Sequence, residues 1–106
     1  MSETAAFVRV AQLADLANNR SLAVEVDGVR VLVCHSREQV FAVAEICSHA
    51  HESMASGRIK NGVLCCPVHG ARFDLATGAV LNAPATEPIC TYPSRVVDGW
   101  IEVAVK

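Results

Sequence analysis

Three of the five cysteines and three of the four histidines in this 106-residue chain fall in two short stretches. They are Cys47-Ser48-His49-Ala50-His51 and Cys65-Cys66-Pro67-Val68-His69. Thiolates and imidazoles gathered in this way are ligands for borderline or soft metals. Cys47-x-His49 is followed, after sixteen intervening residues, by Cys66-x-x-His69. Each half places one sulfur and one ring nitrogen on a tight loop. Between the halves lies Asn61-Gly62, a dipeptide that favours a two-residue hairpin turn. Such a hairpin brings the loops side by side, so that two Cys and two His converge on one site. Two centres fit that set. Zinc takes Cys₂His₂ in a tetrahedron. A [2Fe–2S] cluster takes two Cys on one iron and two His on the other. Spacing alone does not separate them. The context favours the cluster, because zinc modules of this type are usually small and metal-dependent for folding. Here the ligands sit inside a strand-rich chain with its own apolar core.

The remaining Cys and His have plainer readings. His51, two residues beyond His49, is expected to be a solvated loop residue. Cys65 continues the Val63-Leu64 run, and strand alternation points it away from its neighbour Cys66. It is read as a packed thiol. Cys34 in mid-strand and Cys90 at the start of a late strand are expected to be small core hydrophobes. His35, at a strand end, is expected to be exposed.

The elements that position these loops are strands. Phe7 to Val10 reads as a first short strand, and Leu13 to Leu16 as one helical turn. Ser21 to Val26 alternates with period two, turns at Asp27-Gly28 and returns as Val29 to His35. Val40 to Ala44 follows the turn at Ser36 to Gln39, and the opening reads as an antiparallel meander. Arg58-Ile59 and Val63 to Cys65 flank Asn61-Gly62. Arg72 to Asp74 and Ala79 to Leu81 flank a turn at Thr77-Gly78. Asn82 to Pro88 is a Pro-bearing loop. Ile89 to Val97 and Trp100 to Val105 close the chain around Asp98-Gly99. The expected fold class is all-β and antiparallel: one domain over residues 1–106, with a base (1–44 and 82–106) and an inserted subdomain (45–81) carrying the loops.

Composition narrows the function classes. Hydrophobic residues make up 52% of the chain, too many for a disordered protein. Val and Ala dominate over five aromatics, which favours strands over a helical bundle. Nine basic against eleven acidic residues give a net charge of −2. Nucleic acid is therefore not an expected partner, because phosphate binding needs a basic face. No apolar run reaches transmembrane length, and MSETAAF lacks the features of a signal peptide. The expectation is a cytoplasmic protein with no membrane association. Five cysteines in that compartment are ligands or buried thiols rather than disulfides.

The run Cys47-Ser48-His49, then Cys66-Pro67-Val68-His69-Gly70-Ala71-Arg72-Phe73-Asp74, resembles the Rieske [2Fe–2S] motif. It is most similar to that of the small ferredoxins of bacterial aromatic-ring-hydroxylating dioxygenase systems. The likeness extends over most of the chain, through the Thr77-Gly78 turn, the Pro loop and the terminal hairpin. It implies one Rieske-type [2Fe–2S] cluster per chain, with Cys47 and Cys66 on the buried iron and His49 and His69 on the outer one. It also implies that the loop containing Pro84 covers the cluster from one side. Two departures set this chain apart from the high-potential members. The extra Cys pair that forms a disulfide across the cluster is replaced by Glu52 and Val68. A Ser and a Tyr that donate hydrogen bonds to sulfur are replaced by Ala71 and Phe73, neither of which has a side-chain donor. The expected potential is near the low end of the Rieske range, roughly −150 mV.

The function this implies is one-electron transfer with no substrate chemistry. A flavin-containing NAD(P)H-dependent reductase is the expected donor and a terminal ring-hydroxylating oxygenase the acceptor. The chain is expected to be a monomer, with His49 and His69 at its docking surface. Two other readings remain at this point: a Rieske-like small subunit or redox-sensing module of another reductase, and a zinc-binding structural module.

Overall fold

The computed structural model describes residues 6–47, 52–67, 70–82 and 87–105. Ten strands and one 3-10 turn make up the regular structure of this part. The strands are β1 (Val8–Gln12), β2 (Arg20–Val26), β3 (Val29–Ser36), β4 (Gln39–Ala44) and β5 (Arg58–Lys60). They continue as β6 (Val63–Cys65), β7 (Arg72–Asp74), β8 (Thr91–Tyr92), β9 (Ser94–Val97) and β10 (Trp100–Val103). The 3-10 turn is Leu13–Asp15, where the sequence predicts a helical turn. All pairings are antiparallel, as the all-β reading requires.

The strands form three sheets, in the orders β1-β10-β9, β2-β3-β4-β8 and β5-β6-β7. The middle sheet explains their stacking. Along β3, Val31 and Val33 join one buried cluster, with Val26, Ala42, Ile101 and Val103. The alternate residues Leu32 and Cys34 join another, with Val43, Ile59, Leu64 and Phe73. Strand alternation thus sends one face of β3 towards the terminal sheet and the other towards the β5-β6-β7 sheet. Burial on both faces is why VLVC, residues 31–34, reads as a continuous apolar run rather than an alternating one.

The two-residue turns form where the sequence puts them. Asp27-Gly28 and Asn61-Gly62 both lie at positive φ, the geometry a tight hairpin demands. Arg37-Glu38 adopts the same left-handed pair at φ 56° and 63°, without a glycine or an Asn-Gly signal. Its register, Ser36 opposite Gln39, shows the adjoining strands imposing the turn.

Three expectations are corrected. β1 does not continue the opening meander; it pairs with β10, so the two ends of the chain share a sheet. The strand expected over Ile89 to Val97 is two strands, interrupted at Pro93, whose missing N–H cannot serve a ladder. The small hairpin after Thr77-Gly78 is reduced to a bridge between Phe73 and Val80, flanked by Leu81 N–H donating to Arg72 O at 2.8 Å.

Candidate metal centre

Cys47 and Cys66 close two loops in the same way. The Cys47 N–H donates to Glu52 O at 2.8 Å, and the Cys66 N–H to Ala71 O at 2.6 Å. In each, the bond runs from the cysteine to the carbonyl five residues on. Below the first loop, Ile46 bridges Ser53 and the Met54 N–H donates to Glu45 O at 2.8 Å. Below the second, Cys65 pairs with Arg72. Each cysteine therefore sits at the neck of a closed loop, and the neighbouring His follows it in the sequence of that loop.

Both cysteines are fully buried and belong to one apolar cluster with Leu32, Met54, Leu64, Ala71 and Phe73. Neither is in a disulfide. Their backbone N–H groups are spent on loop closure. Two buried cysteines at the necks of adjacent hairpins fit a centre that takes two thiolates on its inner side.

His49 and His69 lie outside the described residues, as do Ser48, His51, Val68 and Pro84. Among the described residues alone, no group of three or more His, Cys, Asp or Glu is close enough to hold a metal ion.

The other thiols divide. Cys34 is buried as expected, and its apolar surroundings push the thiol up to about 12. Cys65 is half-buried, with Leu64 and Cys66 on either side of it buried, so alternation does turn it away from them. Cys90 is exposed, not a core residue. It precedes β8 at the rim of the middle sheet, where its carbonyl accepts from the Ala44 N–H at 2.9 Å and its side chain faces out. His35 is not a freely exposed strand end either. It is half-buried, with Nδ1 2.8 Å from Leu16 O.

Two supports escaped the sequence reading. Glu45, two residues before Cys47, is buried. It accepts from Arg30 Nε at 2.8 Å, Arg30 Nη2 at 2.9 Å and the Ser53 hydroxyl at 2.6 Å. Those bonds hold its carboxyl below the usual glutamate range, the Arg30 hydrogen bond most of all. The available signal was a lone carboxylate ending the apolar run FAVAE. Asn82 is the second. Its Oδ1 accepts from the Arg72 N–H at 2.7 Å, and its Nδ2 donates to Gly70 O at 3.2 Å. This side chain fastens the start of the Pro-bearing segment to the second loop.

Ala71 and Phe73 are both fully buried, Ala71 at the neck of the second loop and Phe73 in the strand that leaves it. Neither offers a side-chain hydrogen-bond donor at its position.

Comparison with known proteins follows the same lines. The family model described as Rieske [2Fe-2S] domain matches residues 6–93. The anthranilate 1,2-dioxygenase ferredoxin subunit of Burkholderia cepacia is 43% identical over 68 residues, 64% of this chain and 63% of that relative. The alignment thus spans a little under two thirds of that relative's length. The ferredoxin component of the naphthalene 1,2-dioxygenase system of Pseudomonas putida is 30% identical over 93 residues, 88% of this chain and 89% of the relative. Among solved structures, the ferredoxin of carbazole 1,9a-dioxygenase from Nocardioides aromaticivorans IC177 superposes with a TM-score of 0.90 at 35% identity. It covers 94% of this chain and 98% of that one. A chain from a complex of reduced oxygenase and oxidized ferredoxin in carbazole 1,9a-dioxygenase gives a TM-score of 0.87 at 26% identity, covering 92% of each.

Proposed function

The chain belongs to the Rieske [2Fe-2S] domain family, and we propose that it is the one-electron carrier of a multicomponent aromatic-ring dioxygenase system. It is a ferredoxin component rather than a catalyst. The [2Fe–2S] cluster, when bound, supplies a reversible one-electron couple. The protein's part is to hold that couple, exclude water from its inner side and present its outer side to partners.

The observation that carries this reading is the burial of Cys47 and Cys66 at two matched loop necks in one apolar cluster. Their thiolates would hold the inner iron. His49 and His69, at the loop tips in sequence, would hold the outer iron. Two neutral imidazoles in place of two thiolates remove two negative charges from the ligand set, which makes reduction easier than in an all-Cys cluster. Residues 45–81 act as the cluster-binding subdomain, with 1–44 and 82–106 as its base.

Electrons would come from a flavin-containing NAD(P)H-dependent reductase and leave to a terminal ring-hydroxylating oxygenase, of the kind that the carbazole complex contains. The carrier would work as a cytoplasmic monomer. Among the described residues no helix is long and apolar enough to cross a membrane.

Visible absorption of the purified protein, with electron paramagnetic resonance after dithionite reduction, tests the reading. A coloured protein with a Rieske-type signal is expected, lost in Cys47→Ser and Cys66→Ser. A colourless protein with one zinc per chain overturns it.

A further inference from the structure

A groove runs along the outer edge of the β5-β6-β7 sheet and ends at the second cysteine loop. Its first part, about 540 Å³, is lined by Arg20 and Ser21 at the start of β2 and by Ser56 to Lys60. Its second part, about 430 Å³, continues past Ser56, Gly57 and Arg58 to Cys66, Pro67 and Gly70. Ser56, Gly57 and Arg58 line both, so the two hollows adjoin along this segment. At Gly57, in the shared segment, a Cβ would stand 2.3 Å from Cys65 O, so the backbone here lies directly against β6.

Charge in the groove runs against that of the chain. The whole protein carries −2. The groove takes three of its cations, Arg20, Arg58 and Lys60, and no carboxylate lines it. All three side chains are exposed, and none makes an ion pair among the described residues. Asp74 is the carboxylate of the same sheet. It sits on the far strand β7, where its Oδ1 accepts from the Ala76 N–H at 2.8 Å.

The layout suits an extended chain better than a small anion. Arg58 and Lys60 are two apart on one strand, so their stems rise from the same face about 6.5 Å apart. Alternate side chains of an extended acidic segment have that same spacing. A single phosphate needs donors that converge on one point; here the cations are strung along a groove. β5 is also the edge of its sheet, so among the described residues no strand pairs with its outer backbone groups, and they can meet an extended main chain.

We propose that this groove seats an extended, carboxylate-rich segment of a redox-partner protein. The segment is guided by Arg20, Arg58 and Lys60 to the loop of Cys66, Pro67 and Gly70. This rests on the electron-carrier reading and adds to it an approach along the β5 edge, which ends at the residues that flank Val68 and His69 in sequence. Docking there brings the partner to the loop that carries Cys66.

The test uses the reduced, cluster-bearing protein, with ferricyanide as anionic oxidant and a ten-residue polyglutamate peptide as occupant. In the assay one electron passes from the reduced iron pair to ferricyanide, giving ferrocyanide; no proton or bond changes hands. Oxidation of the parent should slow as salt rises, despite the negative net charge, and polyglutamate should slow it further. The triple variant Arg20→Gln, Arg58→Gln, Lys60→Gln should react about tenfold more slowly at low salt and ignore the peptide. Replacing Arg20 and Arg58 by Lys should restore both effects. Equal rates in parent and triple variant overturn the proposal. So does inhibition by inorganic phosphate, at matched ionic strength, as strong as that by polyglutamate. Absorption and paramagnetic resonance of each variant keep the two readings apart. Loss of the cluster signal in the parent would fault the carrier reading, whereas an intact signal with unchanged kinetics faults the groove alone.

Discussion

Glu45 and Arg30 meet at two points, Nε to Oε1 at 2.8 Å and Nη2 to Oε2 at 2.9 Å. The pair ties the start of β3 to the residue two before Cys47. It is asymmetric: the Arg30 side chain is 60% exposed and that of Glu45 is 3% exposed. The carboxylate, not the guanidinium, is the member that cannot lose its partners cheaply.

Acid stability should follow from that pair. Its hydrogen bonds, first with Arg30 and then with Ser53, hold the Glu45 carboxyl below its ordinary value of 4.5. A lowered folded-state pKa adds stability at pH above the unfolded value, and that stability is lost as pH falls through the folded one. Glu45→Gln should lower the thermal midpoint at neutral pH by roughly 4–8 °C. It should also flatten the fall of the midpoint below pH 4.5. Calorimetry of both proteins from neutral to acid pH checks this; parallel curves would show that Glu45 is not the group responsible.

The redox potential should be low. With Ala71 and Phe73 where a donor would otherwise stand, the reduced state lacks two hydrogen bonds, and the midpoint should lie near −150 mV, roughly the bottom of the Rieske range. Phe73→Tyr and Ala71→Ser should each raise it by tens of millivolts. Protein-film voltammetry reads the three values. A parent midpoint above zero contradicts the assignment.

Thiol chemistry should sort the cysteines. Cys34, pushed up to about 12 by burial, has about one part in ten thousand as thiolate at pH 8 and no access to reagent. Cys90 is exposed. In the native holoprotein an aromatic disulfide reagent should titrate one fast thiol, absent in Cys90→Ser. Cys34 should react only after unfolding. Fast labelling of Cys34 in the folded protein would contradict its buried placement.

Two glycines should respond differently to a methyl group. Gly28 lies at φ +80° with nothing within 4 Å of an added Cβ, so Gly28→Ala carries backbone strain alone, about 1 kcal/mol. At Gly57 the methyl would stand 2.3 Å from Cys65 O, so Gly57→Ala must push β6 aside at a cost of about 1–3 kcal/mol. Because Cys66 follows Cys65, the paramagnetic g-values should shift in Gly57→Ala and stay fixed in Gly28→Ala. Denaturant titration and resonance spectra together separate the two.

Much of the fold was legible because its signals are local. Asp27-Gly28 and Asn61-Gly62 announce their turns, and period-two alternation announces β2. What failed was non-local. Nothing in Phe7 to Val10 says that its partner is β10 rather than β2. The site was legible in its ligand types but not in its supports, because Arg30 and Glu45 are fifteen residues apart and follow no spacing rule. Cys90 was misread for a related reason. A small thiol beside an apolar run looks like core until the sheet edge is known.

The double burial of β3 has one more consequence, for how the chain finds its register. In a strand with one wet face, a slip by one residue exposes its apolar set and is rejected at once. In β3 the same slip would trade Val31 and Val33 for Leu32 and Cys34, apolar for apolar. Within residues 31–34 polarity offers little resistance to that error; the resistance lies in the end residues, Arg30 paired with Glu45 and buried Ser36 bonded to Asn19. The alignment is therefore fixed from the strand's two ends, by those contacts and by the turns at Asp27-Gly28 and Arg37-Glu38. Insertions in those turns, far from any ligand, are the changes that would scramble which side of the sheet faces the cysteines.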